Sequence, residues 1–149
     1  MNEKFDKNGN CIYEEKSNGN EHSYKYDENK NIVYSKISIK GKDVELWLEY
    51  NENYNLIHEK FSTGEDVRYS YDKKNRLTHY VDEKGFQTWH KYQDNDNTIL
   101  TFVRDHNGDE TYHKCDDELT ETTEITKLEY DSAWRMIYEW LKHHITNTQ

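Results

Sequence analysis

One pattern recurs along this chain and restricts what it can fold into. Segments that open on an aromatic residue followed by an acid or amide begin at Phe5-Asp6, Tyr26-Asp27, Tyr50-Asn51, Tyr71-Asp72 and Tyr92-Gln93, in steps of 21, 24, 21 and 21 residues. Cys115-Asp116 follows after 23 and Tyr130-Asp131 after a further 15, so the sixth unit is shortened. A unit this short cannot bury a core alone, so neighbouring copies must supply one another with contacts. The expectation is one domain over residues 1–149, with repeats over 5–130 and a different element after them.

Within each unit the same chemistry returns. Three residues after the opening aromatic stand Asn8, Asn29, Asn53, Lys74 and Asn95, and two further on Asn10, Asn31, Asn55, Arg76 and Asn97. Asparagine tolerates the left-handed backbone and bonds its own main chain, so these positions predict tight reversals. Cys11-Ile12-Tyr13, Ile32-Val33-Tyr34, Leu56-Ile57-His58, Leu77-Thr78-His79 and Thr98-Ile99-Leu100 then have the short apolar or β-branched character of a strand. A second reversal is predicted at Asn18-Gly19, Gly41, Gly64, Gly85 and Asn107-Gly108, so each unit reads as a two-strand hairpin with strands of about five residues.

Composition fits a thin sheet better than a thick core. Hydrophobic residues make up 32% of the chain, and six glycines raise this to about 36%, against ~45–50% in an average globular chain counted the same way. Thirteen tyrosines and four tryptophans are the main packing material. Side chains alternate across a strand, so Tyr24 with Tyr26, Leu48 with Tyr50, Tyr69 with Tyr71 and His90 with Tyr92 are expected to share a face and stack into a ladder.

The openings Tyr26-Asp27-Glu28-Asn29-Lys30-Asn31 and Tyr71-Asp72-Lys73-Lys74-Asn75-Arg76-Leu77-Thr78 resemble the YD repeats of the Rhs and teneurin type, over about residues 5–116. Long members of that family wind strands into a shell around a toxin or carry cell-surface recognition, and short members are often called sugar-binding. The resemblance implies a mainly β fold, an antiparallel meander of YD-type hairpins in a single curved or partly rolled sheet. Five units cannot enclose a protein cargo. After Asp131, Trp134, Ile137, Tyr138, Leu141 and Ile145 fall at helical spacing, which predicts one C-terminal amphipathic helix over 131–146, capped by Asp131 and covering a face or open end of the sheet.

Charge narrows the partners. Twenty Lys and Arg against thirty Asp and Glu give −10, which opposes direct binding of nucleic acid or an anionic membrane and suits a basic protein. The excess concentrates in a strip containing Asp105, Asp109, Glu110, Asp116, Asp117, Glu118, Glu121 and Glu124, with Lys114 its single base. No apolar run approaches the ~18 residues of a membrane span, and Met1-Asn2-Glu3-Lys4 lacks a basic region leading into an apolar stretch. A cytoplasmic protein is expected, bacterial or acting in the host cytoplasm if phage-encoded, with Cys11 and Cys115 as free thiols.

Catalytic signals are weak. His113-Lys114-Cys115 and His143-His144 lack the companions of a metal motif, and no phosphate loop or nucleophile elbow occurs. His90 and His113 take the ladder position of Tyr24 and Tyr69, which argues for packing. No metal or cofactor is expected. The sequence predicts a non-enzymatic protein-binding module, a small acidic inhibitor of a basic partner such as a nuclease-type toxin or defence protein, acting as an immunity or phage anti-defence protein. The acidic strip with Trp47 and Trp89 is the expected contact set. The alternatives are carbohydrate binding, with Trp47 and Trp89 stacked on sugar rings, and small-molecule sequestration.

Overall fold

The computed structural model describes residues 2–93, 98–116 and 122–133. The chain divides into two compact units, Met1–Asn75 and Arg76–Gln149. In the first, β1 (Asn2–Phe5), β2 (Cys11–Glu15), β3 (Glu21–Tyr26), β4 (Ile32–Ile39), β5 (Lys42–Tyr50), β6 (Leu56–Phe61) and β7 (Asp66–Tyr71) pair in chain order, each antiparallel to the next. In the second, β8 (Leu77–Val81), β9 (Gln87–Gln93), β10 (Thr98–Arg104), β11 (Glu110–Asp116) and β12 (Thr122–Ile125) do the same and lead into a helix, α1, over residues 127–133. The fold is therefore mainly β, an open antiparallel meander ending in a helix, as the repeat predicts. Among the described residues between Tyr24 and Asn107 none is helical.

The acid of each opening pair is a loop-forming residue. Asp6 Oδ1 accepts the amides of Asn8 and Asn10 at 2.8 and 2.9 Å, and its Oδ2 accepts Asn10 Nδ2. Asp27 repeats the arrangement with Asn29 and Asn31. The side-chain bond from Asn10 or Asn31 is the main reason both carboxyls sit below the ordinary carboxylate value. Asp82 and Asp105 take the same role in the alternate reversals, at the amides of Lys84 and Phe86 and of Asn107 and Asp109. The left-handed residue is the position between the two: Gly9, Lys30, Tyr54 and Asn75 all have positive φ, so an asparagine takes it only in the fourth loop, at Asn75. The asparagines instead donate to or follow the capping acid, which local side-chain bonding favours in turns.

The opening aromatics end β1, β3, β5 and β7, and their hydroxyls go to the backbone. Tyr26 donates to the Cys11 carbonyl (2.7 Å), Tyr50 to Ile32 (3.0 Å), Tyr71 to Leu56 (2.8 Å) and Tyr92, in β9, to Leu77 (2.7 Å). Each acceptor is the first residue of the strand before, so the hydroxyl closes its own hairpin. Phe5, the opener of β1, carries no hydroxyl and makes no such bond. Tyr24 and Tyr26 share a face with ring centres 6.5 Å apart, as expected, but the openers of the first unit do not stack directly on one another. Within one unit they lie on alternate strands, at twice the ~4.8 Å strand spacing and outside the ~4.5–7 Å range of ring contact. The register shifts at Phe5, Tyr26 and Tyr50 leave Ile12, Val33 and Ile57 as extra residues in bulges.

Most strands are near the expected length, but β4 and β5 run to eight and nine residues. The second repeat is the longest at 24 residues, and its hairpin closes through Lys40 and Gly41 alone, both at positive φ, so the added residues extend the strands. The C-terminal helix begins four residues earlier than expected. Thr126 Oγ1 accepts the Glu129 amide (3.2 Å) while Glu129 Oε2 accepts the Thr126 amide (2.7 Å), a reciprocal cap that leaves Asp131 inside the helix. Trp134, Ile137, Tyr138, Leu141 and Ile145 lie outside the described residues.

Candidate interaction surface

Cross-strand registry decides which side chains meet. In the first unit Tyr34 stands opposite Trp47, their rings 5.9 Å apart, and Lys25 Nζ lies 4.9 Å from the centre of the Tyr34 ring. Alternation along β5 places Asp43, Glu45 and Glu49 on the Trp47 face. Tyr34 donates its hydroxyl to Glu45 (2.6 Å), which is the main cause of its raised pKa, and Lys36 pairs with Asp43 at 2.6 Å. Trp47 nevertheless keeps 41% of its surface exposed. The arrangement is an exposed indole on a strand, flanked by carboxylates and by lysines, with Lys60 opposite it on β6.

His58, on the same face, lies between two carboxylates. Its Nδ1 is 3.1 Å from Glu49 Oε1 and its Nε2 2.9 Å from Asp66 Oδ1, so the ring ties β5, β6 and β7 together. Its repeat counterpart in the second unit, His79, stacks on Trp89 at 4.9 Å and bonds Gln87 Oε1. Both histidines are thus engaged with neighbours on the sheet.

The second unit holds a feature that the sequence reading missed. His79, Trp89, Phe102 and Tyr112 are direct cross-strand partners on β8 to β11, with successive ring separations of 4.9, 4.7 and 5.2 Å, and Tyr130 of α1 closes the row 5.1 Å from Tyr112. Arg104 lies near the Trp89 and Phe102 rings and pairs with Glu110 at 2.8 Å. Trp89 is half-buried inside this row, so it is less available for contact than Trp47. The signal was present in the sequence as one aromatic or histidine per strand, but it falls between the opening aromatics and is in phase only once the strands are paired.

The acidic strip divides by role. Asp105 is committed to its turn, and Glu110 is held below the ordinary carboxylate value by the hydrogen bond from Arg104 and also accepts the Tyr112 hydroxyl. Asp109 and Glu124 are exposed, Asp116 ends β11, and Asp117, Glu118 and Glu121 lie outside the described residues. Neither Cys11 nor Cys115 forms a disulfide. His113 Nε2 bonds Thr111 Oγ1 and the Cys115 thiol points to the Ile99 carbonyl, and no group of three potential metal ligands converges among the described residues. His143 and His144 lie outside them.

His90 occupies the Tyr24 and Tyr69 position and bonds two hydroxyls, Thr101 Oγ1 at 2.9 Å and Thr88 Oγ1 at 3.3 Å. Burial pushes its pKa below 6.5, so the folded protein favours the neutral ring. A histidine depressed by folding destabilises the native state as pH falls through the unfolded value, near ~6.5, toward the lower folded one. Urea denaturation of wild type and His90→Gln at about pH 7.5 and about pH 5 should therefore show a smaller acid loss in the variant. Equal losses would mean that His90 does not carry this sensitivity. Compared with known proteins, the chain matches no family model and no curated protein.

Proposed function

We propose that this chain is a non-enzymatic protein-binding module of YD-type hairpins, a small acidic inhibitor that occupies a basic partner such as a nuclease, in the manner of an immunity or anti-defence protein. The observation that carries the reading is Trp47, 41% exposed on a face it shares with Asp43, Glu45 and Glu49. Tryptophan is enriched among residues that dominate binding energy, because a rigid aromatic buries large area at small entropic cost. Carboxylates around it, within a net charge of −10, favour a positively charged counter-surface and accelerate encounter with it.

The test is capture of partners, with tagged wild type and Trp47→Ala, from cells that carry the gene. The expected result is a basic nuclease retained at low salt, released as salt rises, and inhibited at equimolar inhibitor. Trp47→Ala should weaken that complex by about 30-fold, the size of a ~2 kcal/mol hot spot. Retained proteins without basic character, or a retained nuclease that cleaves at an unchanged rate, would overturn the reading.

A further inference from the structure

The first unit contains a groove of about 510 Å³ between two equivalent loops, Asp27–Asn31 and Asn51–Asn55. Its lining combines three kinds of surface. Val33 and Leu48, each next in sequence to a member of the Tyr34–Trp47 pair on β4 and β5, supply an apolar stretch. Tyr54 supplies a ring that is 60% exposed. Asp27, Glu49 and Glu52 supply carboxylates, and among the described residues no lysine, arginine or histidine lines the groove. Two of the acids already have work in the fold: Asp27 caps its loop and Glu49 bonds His58. Glu52 lines the groove from the same loop as Tyr54, with no such role among the described residues.

The three surfaces together match one side chain. Arginine has an alkyl stem, a flat guanidinium that stacks on an aromatic ring, and a fork of donors that fits a carboxylate with two parallel hydrogen bonds. Lysine shares the charge and the stem but offers a compact, strongly hydrated ammonium that neither stacks nor forks. A neutral sugar would use Tyr54 and the asparagines and leave the carboxylates without a counter-charge. We propose that this groove is an arginine-receiving site, in which Tyr54 stacks on the guanidinium, Glu52 pairs with it and the stem lies along Val33 and Leu48. The proposal rests on the reading of the protein as a binder of basic partners and names where one of their arginines docks, separately from Trp47.

Tyr54 also makes the test selective. It sits at φ 62, where L-residues other than Asn and Gly are strained, while the equivalent loop residue before β8 is Asn75 at φ 61. Tyr54→Asn therefore removes the ring without harming the loop and should leave the melting temperature equal or higher. The probe is an acetylated, amidated tri-arginine peptide titrated into the isotope-labelled full chain and followed by amide chemical shifts.

Saturable shifts are expected at residues 27–31 and 51–55. Binding should weaken about tenfold in Tyr54→Asn and in Glu52→Gln, and tri-lysine should bind several-fold more weakly than tri-arginine. Shifts spread without saturation over all the acidic loops, equal binding of tri-lysine, or maltose binding at the same amides in place of tri-arginine would each overturn the proposal. A basic partner captured by wild type and held equally by the Tyr54→Asn, Glu52→Gln double variant would refute the groove and leave the broader reading intact. If wild type captures no basic partner, it is the broader reading that fails.

Discussion

Replacing Tyr71 by alanine is expected to destabilise the first unit by about 2–4 kcal/mol, somewhat below the ~3–5 typical of a fully buried aromatic, because its ring is only half-buried. Two contributions are lost. The ring ends β7, where burial raises its hydroxyl pKa, and the hydroxyl donates to the Leu56 carbonyl at 2.8 Å. Tyr71→Phe separates them, since it keeps the ring and removes a bond worth about 1 kcal/mol net. Equilibrium denaturation of the two variants should thus give a large loss for alanine and a small one for phenylalanine. The phenylalanine step should cost a similar amount at Tyr26 and Tyr50, which make the same bond to Cys11 and Ile32. An unchanged melting temperature in Tyr71→Ala, combined with lost partner binding, would instead make the opening tyrosines a recognition surface.

That bond also explains how far the fold could be read from sequence. Each strand after an opening begins where the apolar or β-branched run begins, at Cys11, Ile32, Leu56, Leu77 and Thr98, because the turn chemistry before it is local and repeats in phase. The identity of the left-handed residue was not legible. Composition points to Asn8 and Asn10, whereas the carboxylate of Asp6 fixes both by accepting their amides and leaves Gly9 to reverse the chain. In the third loop the same constraint falls on Tyr54, a residue that no propensity argument would place there. The helix start is encoded in the sequence, since Thr126 with Glu129 has the spacing of a reciprocal cap, but the repeat-like pair Tyr130-Asp131 offers a competing cap at Asp131.

The binding surface was legible only in outline. Trp47 and Trp89 occupy comparable places in their repeats, yet their neighbours across the sheet separate them. Trp47 faces Tyr34 on one side and Lys60 on the other and remains exposed. Trp89 faces rings on both sides, His79 and Phe102, and becomes part of a row that Tyr130 covers. Which strands are adjacent is a property of the meander, and what stands opposite depends on register, which shifts at bulges that a single sequence does not announce. The same holds for the acidic strip, where Asp105 and Glu110 are bound within the fold while Asp109 and Glu124 face solvent.

Leu100→Ala is the second large effect expected, and it tests whether the second unit has a true interior. Adjacent residues of a strand point to opposite faces, yet Ile99 and Leu100 are 7% and 0% exposed, so both faces of β10 are covered at this end. The cross-strand partners of Leu100 are Lys91, which is half-buried and whose pKa burial pushes below its ordinary value, and Lys114, which is exposed. Removing a fully buried leucine side chain costs ~2–5 kcal/mol, with the value set by how far the surroundings collapse. Hydrogen exchange of the β9, β10 and β11 amides should quicken accordingly, and water admitted to the cavity should bring the Lys91 pKa back up toward its ordinary value. A cost under about 1 kcal/mol would mean that this end of the sheet is held by aromatic stacking and turns alone, with no packed interior to disrupt.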